Sequence, residues 1–520
     1  MALTNYMWLP LALYVGFVVL LYADRWMTRR RVARLGHSAP DVGIPGPLGL
    51  GFFYQSIKTW RAHACLEWWE DIFSRNGCAE KGSYTAETYV MGGSRYIITA
   101  DPDNVKHMLA TDFQSWGKGK DLYNAFQHFL GDGVLSTDGE KWSAARQVMR
   151  PLFMKERVTD LDLFERNWQR MMPLLGQGQA LEIDDLVFRY TLDNVSEFLL
   201  GTNFGTLLDT TNHFTNAFEK IQKTQSVIMR AGPLAWTVPR KEYKAGIKIV
   251  DSYLEPSIRR ALALSAANIS FSKKADDEQN TLLHALVAYT NNRKDIRDQL
   301  TTVLFAGSDT TASALTWLFF ELSRHPEVVS KLQTLIFETL GTTDPSRLPT
   351  YSELKQMKYL TNTINETLRY YATMPFATRQ ALRDTTLPRG GGPDGTEPIA
   401  VLAGTPVLFS ALLMHRRRDL YPPISAGFPD PRTWCPERWD DWQPKSWQLI
   451  PFSGGARTCI GQSFAITEIA YTAVRLLQCF ERLDDFNPRG KEDPVLRYGI
   501  VATAEEGVKI AFIPRHVEKL

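Results

Sequence analysis

The sequence predicts a mainly α-helical protein with a smaller β-rich part, preceded by one N-terminal transmembrane helix. Apolar residues recur at three- and four-residue spacing from about residue 140 to 380, as they do in amphipathic helices. Residues 88–100, rich in β-branched and aromatic side chains, predict short strands. Residues 6–23 form an apolar run of 18 residues without a charge. A chain of 520 residues is long enough to contain all three parts.

The N-terminal run has the length of one membrane crossing. At about 1.5 Å per residue it spans about 27 Å, close to the roughly 30 Å hydrocarbon core of a bilayer. A cleaved signal peptide is the alternative, but the run has no basic leader and no small-residue cleavage site. No Lys or Arg precedes the run, whereas five arginines follow it: Arg25, Arg29, Arg30, Arg31 and Arg34. The positive-inside rule therefore predicts that the rest of the chain is cytosolic.

The chain is predicted to have three parts and several surface loops. Residues 1–34 are the membrane anchor with its basic flank, 35–50 a proline-rich hinge and 51–520 one large domain. The hinge contains IPGPLG at 44–49, which does not continue a helix. Within the domain, the polar run 268–279 and the Gly- and Pro-rich runs 387–404 and 421–436 predict loops.

Composition argues against several classes of protein. The formal net charge of +2 gives no argument for nucleic acid as a partner. The cysteines are odd in number, scattered and without a C-x-x-C pair, so they support neither a disulfide framework nor a zinc site. They are Cys65, Cys78, Cys435, Cys459 and Cys479.

The most informative residues are the ten of FSGGARTCIG at 452–461. Cys459 lies in a glycine-flanked turn, with Arg457 two positions and Phe452 seven positions before it. A thiolate held in such a turn can ligate haem iron, because glycines leave room for backbone N–H groups to point at the sulfur. Arg457 can then bind a haem propionate, and Phe452 can shield the ligand. The alternative is a buried free cysteine.

A second motif, AGSDTT at 306–311, lies in an apolar run that predicts a long buried helix at 302–320. Asp309 and Thr310 tend to hydrogen-bond the backbone and disturb a helix at such positions. A hydroxyl beside a carboxylate in a locally opened helix can position water for proton transfer. The alternative is that the Ser and Thr hydroxyls cap a kink.

A third motif combines Glu366 and Arg369, three residues apart on one helix face, with PERW at 436–439. Pairs at this spacing are common on exposed helices and stabilise them little. By itself the pair therefore indicates a surface salt bridge. Arg438 of the second segment lies 21 residues before Cys459.

These motifs resemble the cytochrome P450 family, and the resemblance covers nearly the whole chain. The family's F-x-x-G-x-R-x-C-x-G loop is met at all five fixed positions, and its [AG]-G-x-[DE]-T-[TS] segment is met in full. Its E-x-x-R helix and P-E-R segment are also present. The resemblance implies the cytochrome P450 fold and makes 51–520 a haem-thiolate catalytic domain with haem b as cofactor and dioxygen as co-substrate.

The resemblance also implies residue roles. Thr310 and Asp309 become the catalytic pair for oxygen activation, and Cys459 becomes the axial haem-iron ligand. A buried network that holds the ligand loop is implied for Glu366, Arg369 and Arg438. The other implied cofactor-binding residues are Arg457, Phe452, Gly455, Gly461, Trp142, Arg146, Arg379 and Gly307.

Three of these cofactor-binding roles depend on less specific signals. Trp142 and Arg146 match the family's W-x-x-x-R helix, whose side chains contact a propionate. Arg379 lies ten residues after Arg369, where the family usually has another anchor. The alternative for each arginine is a solvated surface position. Gly307 is expected to leave room above the haem.

The sequence contains no signature of a pyridine-nucleotide or flavin site. GGGPDG at 390–395 is glycine-rich but lacks the strand–turn–helix setting that nucleotide binding requires. The resemblance therefore implies that electrons from NADPH arrive through a separate NADPH–cytochrome P450 reductase, with cytochrome b5 as a second candidate donor. HRRR at 415–418 and Lys445 predict a basic docking surface, with a solvated charge run as the alternative. Localisation at the endoplasmic reticulum membrane, as a single-pass protein, is expected.

The predicted function is oxidation of a hydrophobic small molecule, and its substrate class stays open. LGDG at 130–133, GGPDG at 391–395 and MHRR at 414–417 resemble the fungal alkane and fatty-acid hydroxylase group. The proline-rich run 421–436 is longer than usual there, so a secondary-metabolite scaffold is the other substrate class. Alternative functions are a haem-thiolate isomerase or dehydratase that needs no external electrons, and a haem protein that binds a ligand without turnover. The intact Asp309–Thr310 pair argues against the isomerase.

Overall fold

The structure is a computed structural model. It describes residues 5–42, 49–75, 77–78, 80–90, 94–153, 159–176, 178–209, 211–267, 281–490 and 492–515. Its contacts divide the chain into two compact units. Unit 1 comprises Met1–Gly119, Pro375–Pro423 and Pro444–Thr458, and unit 2 comprises Lys120–Met374, Ile424–Gln443 and Cys459–Leu520.

Helices dominate the described chain, as predicted. In chain order they are α1 (Asn5–Leu35), α2 (Leu50–Arg61), α3 (Cys65–Arg75), α4 (Pro102–Lys106), α5 (Gly119–Phe126), α6 (Gly139–Met149), α7 (Asp162–Met171), α8 (Asp184–Leu200), α9 (His213–Ala231), α10 (Lys241–Ala266), α11 (Leu282–Tyr289), α12 (Arg293–Arg324), α13 (Pro326–Leu340), α14 (Tyr351–Gln356), α15 (Lys358–Tyr371), α16 (Ala411–His415), α17 (Arg438–Asp441) and α18 (Gln462–Cys479).

The strands are short and belong to small sheets. They are β1 (Thr85–Val90), β2 (Ser94–Thr99), β3 (Trp116–Gly117), β4 (Ala180–Glu182), β5 (Phe376–Ala381), β6 (Thr385–Gly391), β7 (Glu397–Val401), β8 (Pro406–Ser410), β9 (Phe480–Asp485), β10 (Leu496–Tyr498), β11 (Ala502–Ala504) and β12 (Lys509–Pro514). Unit 1 contains a five-stranded sheet in the order β1-β2-β8-β5-β3, in which only the β2–β8 pair is parallel, and the β6–β7 hairpin. Unit 2 contains β4-β12-β9 and the β10–β11 hairpin.

The strand prediction at 88–100 is confirmed by β1 and β2, although residues 91–93 lie outside the described residues. The loop predicted at 387–404 is wrong, because β6 and β7 pair there as an antiparallel hairpin. Its apolar residues Leu387, Ile399 and Val401 are fully buried. Burial of these side chains within unit 1 stabilises the strands more than the preference of the surrounding Gly and Pro residues for turns disfavours them.

The loop predicted at 421–436 is confirmed as irregular chain with one short 3₁₀ turn. The polar run predicted as a loop at 268–279 lies outside the described residues.

The N-terminal helix α1 includes the predicted membrane span. No helix among the described residues is long and apolar enough to cross a membrane, so the predicted transmembrane helix is not confirmed. The end of α1 packs on other residues of unit 1, since Val32 is buried in one cluster with Ala400 and Leu402.

The chain that follows α1 is paired with strands of unit 1. The N–H of Val42 donates to the carbonyl of Glu87 in β1 (2.8 Å), and the N–H of Ala400 in β7 donates to the carbonyl of His37 (2.9 Å). Residues 43–48, which include most of the IPGPLG run of the predicted hinge, lie outside the described residues. The hinge therefore stays a prediction.

Helix α12 forms the centre of unit 2. Asn292 caps its start by accepting the N–H of Lys294 (3.0 Å), and Pro326, which begins α13, follows its end. The helix packs against α8, α10, α15 and α18 and is buried along most of its 32 residues. The buried helix predicted at 302–320 is therefore confirmed.

Candidate haem-binding and oxygen-activation site

Glu366 of α15 is the centre of a buried charged network in unit 2. Arg369 binds it with two donors, Nε to Oε2 at 2.7 Å and Nη2 to Oε1 at 2.8 Å. Arg438 donates from Nε to Oε1 at 3.2 Å. All three side chains have no exposed surface. The alternative of a surface salt bridge is therefore wrong.

Two further donors complete the shell around this carboxylate. The indole Nε1 of Trp439 donates to Oε2 (3.0 Å), and the N–H of Cys435 donates to Oε1 (2.8 Å). Burial by itself would raise the pKa of Glu366, but the two guanidinium charges and the N–H of Cys435 hold it below its usual value. Sequence reasoning missed both donors, although Trp439 directly follows the recognised P-E-R segment.

The network also fixes the irregular chain before α17. The Arg369 guanidinium donates to the carbonyls of Pro431 (2.8 Å) and Thr433 (3.0 Å). Arg438 donates to the carbonyls of Pro429 (2.8 Å) and Asp430 (2.9 Å). Because these carbonyls belong to a loop without strand or helix partners, the arginines supply the hydrogen bonds that its backbone requires.

Asp309 and Thr310 lie near the middle of α12 and are partly exposed, whereas most of the surrounding helix is buried. The helix stays continuous here, so the predicted local opening is not seen. The Thr310 hydroxyl donates to the carbonyl of Ala306 one turn earlier (2.7 Å). Its oxygen can still accept a hydrogen bond from a second group.

The Asp309 carboxyl is the group on α12 with a strongly shifted pKa. Although Asp309 keeps some exposed surface, the protein around its carboxyl removes enough water to raise its pKa to about 6, while the side-chain amide of Gln222 and the charge of Arg497 act in the opposite direction. A carboxyl with a pKa near neutrality exchanges protons readily at physiological pH, as a proton-transfer group must. Sequence reasoning missed Gln222 and Arg497, because their separation along the chain hides their proximity to Asp309.

Gly307 has a packing role that the sequence did not indicate. A Cβ atom at this position would lie 2.8 Å from Cγ2 of Val195 in α8. The glycine therefore allows α8 and α12 to approach closely, a reason that differs from the predicted one. Its expected place above the haem stays a prediction.

The ligand loop begins in unit 1 with a 3₁₀ turn, Gly455–Arg457. Gly455 has a φ of 63°, and a Cβ there would lie 1.9 Å from the carbonyl oxygen of Leu109. Both constraints require glycine. The guanidinium of Arg457 lies 5.9 Å from the ring centre of Phe113, and the Phe452 side chain is half-buried in the preceding turn.

Cys459 follows this turn and belongs to unit 2. It is the one exposed cysteine of the five, all of which are described. Nearby protein atoms nevertheless remove enough water from the thiol to raise its pKa, whereas the N–H of Gly461, which bonds to the sulfur, and the charge of Arg146 act in the opposite direction. The predicted backbone donor to the sulfur is thus present. Gly461 has an ordinary φ of −87°.

The predicted propionate anchors are placed on two regular elements. In unit 2, Trp142 and Arg146 lie one turn apart on α6, with the guanidinium 6.0 Å from the indole centre. In unit 1, Arg379 on β5 is buried, and it donates to the carbonyl of Thr378 (2.8 Å). Both arginines are therefore at least half-buried, which the solvated alternative does not predict.

The donor set fits haem. A thiol with a backbone N–H on its sulfur and a nearby guanidinium suits a thiolate ligand of iron. Arginines and an indole N–H suit the two propionates, since these groups form charge-assisted hydrogen bonds to carboxylates. The residues present are thus compatible with the cofactor that the sequence predicts.

The predicted basic docking surface at 415–418 is wrong in part. His415 is fully buried, and its Nε2 accepts the N–H of Ile450 (2.9 Å). Arg417 is also buried, where it donates to the carbonyl of Ala100 (2.8 Å) and pairs with Asp419. Arg418 and Lys445 are exposed. His415 and Arg417 therefore help to hold unit 1 together.

The fold and the thiol-bearing turn are those of a haem-thiolate protein. The family model described as Cytochrome P450 matches residues 79–510. The chain therefore belongs to the cytochrome P450 family.

Fungal members of the family resemble the chain over most of its length. Cytochrome P450 monooxygenase pvhE of Talaromyces variabilis is 38% identical over 525 residues, which cover 97% of this chain and 96% of that protein. Cytochrome P450 monooxygenase himC of Aspergillus japonicus is 36% identical over a region that covers 85% of this chain and 77% of that protein. Cytochrome P450 52A1 of Candida tropicalis is 34% identical over a region that covers 88% of this chain and 84% of that protein.

The family gives the reaction class. The chain is a cytochrome P450 monooxygenase and thus an oxidoreductase. The family uses haem iron with a cysteine thiolate ligand, dioxygen, and NADPH-derived electrons that arrive through a reductase.

Proposed function

We propose that this chain is a membrane-anchored haem-thiolate monooxygenase that hydroxylates or otherwise oxidises a hydrophobic small molecule. Haem, when bound, would supply the activation of dioxygen, in which two electrons from NADPH and two protons allow one oxygen atom to enter the substrate and the other to leave as water. The chain's own residues bind the cofactor, orient it and supply protons. The observation that carries the proposal is the placement of partly exposed Asp309 and Thr310 near the middle of a helix that is buried along most of its length.

Cys459 is the iron ligand in this proposal, and the Glu366 network holds the chain that precedes its loop. The N–H of Gly461 stabilises negative charge on the sulfur, as does the guanidinium of Arg146. Arg146, Arg379 and Arg457 bind the propionates together with Trp142. Phe452 shields the sulfur.

Asp309 and Thr310 are the proton-transfer pair. The Asp309 carboxyl takes a proton from water and returns it toward the space beside α12, because a pKa of about 6 allows both steps near neutral pH. The Thr310 hydroxyl donates to Ala306, so its oxygen is oriented to accept a hydrogen bond from a water molecule and hold that water in place. Loss of either group should leave haem binding intact.

Helix α1 is proposed as the anchor to the endoplasmic reticulum membrane. Its side chains from Leu13 to Tyr22 include many large apolar groups that are exposed, among them Leu13, Phe17 and Leu20. Apolar surface of this extent favours a lipid environment. The proposed partners are NADPH–cytochrome P450 reductase and cytochrome b5, which reach the cytosolic domain.

The substrate is proposed to be fatty acid- or alkane-like, or a secondary-metabolite scaffold. Both classes are hydrophobic, and pockets that bind such molecules are lined predominantly by apolar side chains. The sequence segments that resemble the fungal alkane and fatty-acid hydroxylases support the first class, whereas the proline-rich run, which is longer than usual in that group, leaves the second class open.

The decisive experiment measures coupling in Thr310→Ala and Asp309→Asn. NADPH consumption, peroxide release and product formation are measured with purified reductase and a substrate found by product analysis. We expect unchanged haem spectra, a fall in product of about 10² to 10⁴ fold unless water substitutes for the lost group, and a matching rise in peroxide.

Ser308→Ala is the matched control for these variants. The Ser308 hydroxyl also donates one turn back, to Leu304 (2.8 Å), but it is buried. The control should stay coupled. Unchanged coupling in both test variants contradicts the proton-transfer role, and turnover without NADPH would favour the isomerase.

A further inference from the structure

Glu468 of α18 is a fully buried residue of unit 2 whose carboxyl has one polar partner. Its Oε1 accepts a hydrogen bond from Nδ2 of Asn194 in α8 (2.7 Å). Its Oε2 is buried as well and has no hydrogen-bond partner among the described residues. An unpartnered carboxyl oxygen is unfavourable inside a protein. Packing alone therefore does not account for a glutamate at this position.

Glu366, which is equally buried in the same unit, shows what a buried carboxylate requires. Two guanidinium groups, an indole N–H and a backbone N–H surround it. Glu468 has a single amide donor in their place, which does not compensate for a buried charge. Glu468 is therefore neutral at physiological pH. In agreement with this geometry, burial raises the pKa of Glu468 to about 8, although the Asn194 amide acts in the opposite direction.

Ionisable groups on α7, α8 and α18 do not supply the missing positive charge. The hydroxyl of Tyr190 in α8 is hydrogen-bonded to α18 one turn after Glu468 (2.9 Å), and a phenol carries no positive charge. Farther along α18, Tyr471 and Arg475 both donate to the Glu165 carboxylate of α7. The guanidinium of Arg475 is thus compensated by Glu165.

Two more charged groups reach Glu468 only through intervening amides. Nδ2 of Asn167 in α7 donates to Oδ1 of Asn194 (2.8 Å). The same Asn167 accepts from Arg170 (2.8 Å) and donates to Glu197 of α8 (3.3 Å). Within the described residues, the other elements that pack on α18, which are α12 to α15 and β9, contribute no charge that acts on Glu468. Its ionisation would therefore create a buried charge without a counter-ion.

Helix α8 connects this carboxyl to α12. Asn194 of α8 bonds to Glu468, whereas Thr191 and Val195, one turn apart, face α12. The Thr191 hydroxyl donates to the carbonyl of Ser308 (2.8 Å), and Val195 packs against the glycine that precedes Ser308. A change in the contact between α8 and α18 therefore affects the packing of α12 beside the proposed proton-transfer pair.

We propose that Glu468 is a pH-dependent switch, which holds α8 on α18 as the neutral acid and releases α8 when it loses its proton. The proton passes to water, and the carboxylate that remains requires hydrogen bonds that water supplies. Opening of the Asn194 contact admits this water. The released helix then packs less firmly on α12 at Ser308. The switch does not depend on the roles proposed for Asp309 and Thr310.

The first test compares the thermal unfolding of haem-loaded wild type and Glu468→Gln. Because the pKa of Glu468 is about 8 in the folded chain and has its ordinary value of 4.5 in the unfolded chain, the wild type loses stability as the pH rises between these values. The amide of the variant stays neutral and can still accept from Asn194. The two proteins should unfold at similar temperatures at about pH 5, and the variant at a higher temperature at about pH 9.

The second test locates the effect by infrared difference spectroscopy and hydrogen exchange. A neutral carboxyl band present at neutral pH should be lost in Glu468→Gln. At about pH 9, the amide hydrogens of α8, and those of α12 near Ser308, should exchange several-fold faster in the wild type than in the variant, with no difference at about pH 5.

Two further variants complete the comparison. Glu338→Gln changes an exposed glutamate of α13, which also packs on α18, and should behave like the wild type in both tests. If Glu468→Gln does not fold, Glu468→Met provides a neutral side chain of similar length and should show the same differences from the wild type.

The outcomes decide the inference. A higher unfolding temperature of Glu468→Gln at alkaline pH, together with slower exchange in α8, supports the switch. Unfolding temperatures that change with pH in parallel in the wild type and the variant would show that the folded chain does not hold this proton, and they would overturn it. Loss of the infrared band without any difference in the exchange of α8 would make Glu468 a neutral packing residue, which also overturns the switch.

Discussion

Gly455 shows how strongly a single residue can constrain the ligand loop. Its positive φ and its approach to the Leu109 carbonyl each exclude a side chain. The motif predicts glycine at this position, but the sequence alone does not reveal what fills the space. Gly461 matches the same motif, yet its φ is ordinary and a Cβ there would lie 3.7 Å from its nearest neighbour, the ring of Phe153.

We therefore expect Gly455→Ala to destabilise the protein more than Gly404→Ala. Both glycines belong to unit 1 and have positive φ, 63° and 85°, so both variants lose about 1–2 kcal/mol to backbone strain. Only Gly455 has a neighbouring atom within contact distance, which adds about 1–3 kcal/mol from overpacking. Denaturant unfolding and haem content measure the difference. Equal losses in the two variants would show that the close approach is unimportant.

The sequence can predict the roles of residues that belong to a short motif, in which the residues lie within a few positions of one another. The pair Glu366 and Arg369 is an example, and its burial follows once Arg438 is recognised as its partner. The effect of Gln222 on the pKa of Asp309 could not be predicted, because Gln222 lies 87 residues before Asp309 and belongs to no motif. Gly307 shows a different limit: its motif marks the position, but nothing in the motif indicates that α8 approaches it.

At the scale of elements, α15 and the irregular chain before α17 depend on one carboxylate. Glu366 accepts hydrogen bonds from two arginines, an indole and a backbone N–H, all of them in unit 2. Removal of its charge leaves two buried guanidinium groups without their counter-ion, which is strongly unfavourable. The arginines in turn hold the backbone from Pro429 to Thr433.

Glu366→Gln should therefore lower the free energy of unfolding by about 3–5 kcal/mol and release haem. The matched control is Glu492→Gln, which breaks an ion pair with Arg489 at the same three-residue spacing on the surface. That change should have no measurable effect. Chemical denaturation with haem absorbance as a second probe compares the two. A Glu366→Gln protein as stable as the control would contradict the network's importance.

Helices and strands can be predicted where a hydrophobic repeat extends over many residues. They are hard to predict where turn residues dominate the sequence. The apolar repeat of α12 predicts its burial correctly over most of its length. The Gly and Pro residues of 387–404 predict a loop, yet Leu387 and Ile399 pair across β6 and β7 and are fully buried. The short alternating pattern of a hairpin is easily hidden by the glycines of its own turn.

At the scale of the whole molecule, α1 combines two functions along its length. Its first part exposes the apolar side chains proposed to contact lipid. Its last part packs on other elements of unit 1, where Val32 is buried, Arg25 lies 4.4 Å from the ring centre of Tyr89, and Arg31 pairs with Asp384 (3.3 Å). The arginines that predict topology therefore also bind the protein's own surface.

Two truncations separate these functions. Removal of residues 1–22 should shift much of the protein from the membrane to the soluble fraction while leaving its stability unchanged. Removal of residues 1–34 should shift it equally but also lower the free energy of unfolding by about 2 kcal/mol, mainly through the lost burial of Val32. Sedimentation with membranes and thermal unfolding compare the two. A folded truncation that stays wholly membrane-bound would contradict the single-anchor proposal.

The proposed oxidation chemistry depends on Cys459 as the iron ligand, and the carbon monoxide difference spectrum of the reduced protein tests this most directly. The wild type should show the red-shifted Soret band typical of thiolate ligation. Cys459→Ser should lose that band, whereas Cys479→Ser, which changes a half-buried cysteine at the end of α18, should keep it. Retention of the band in Cys459→Ser would contradict the ligand assignment.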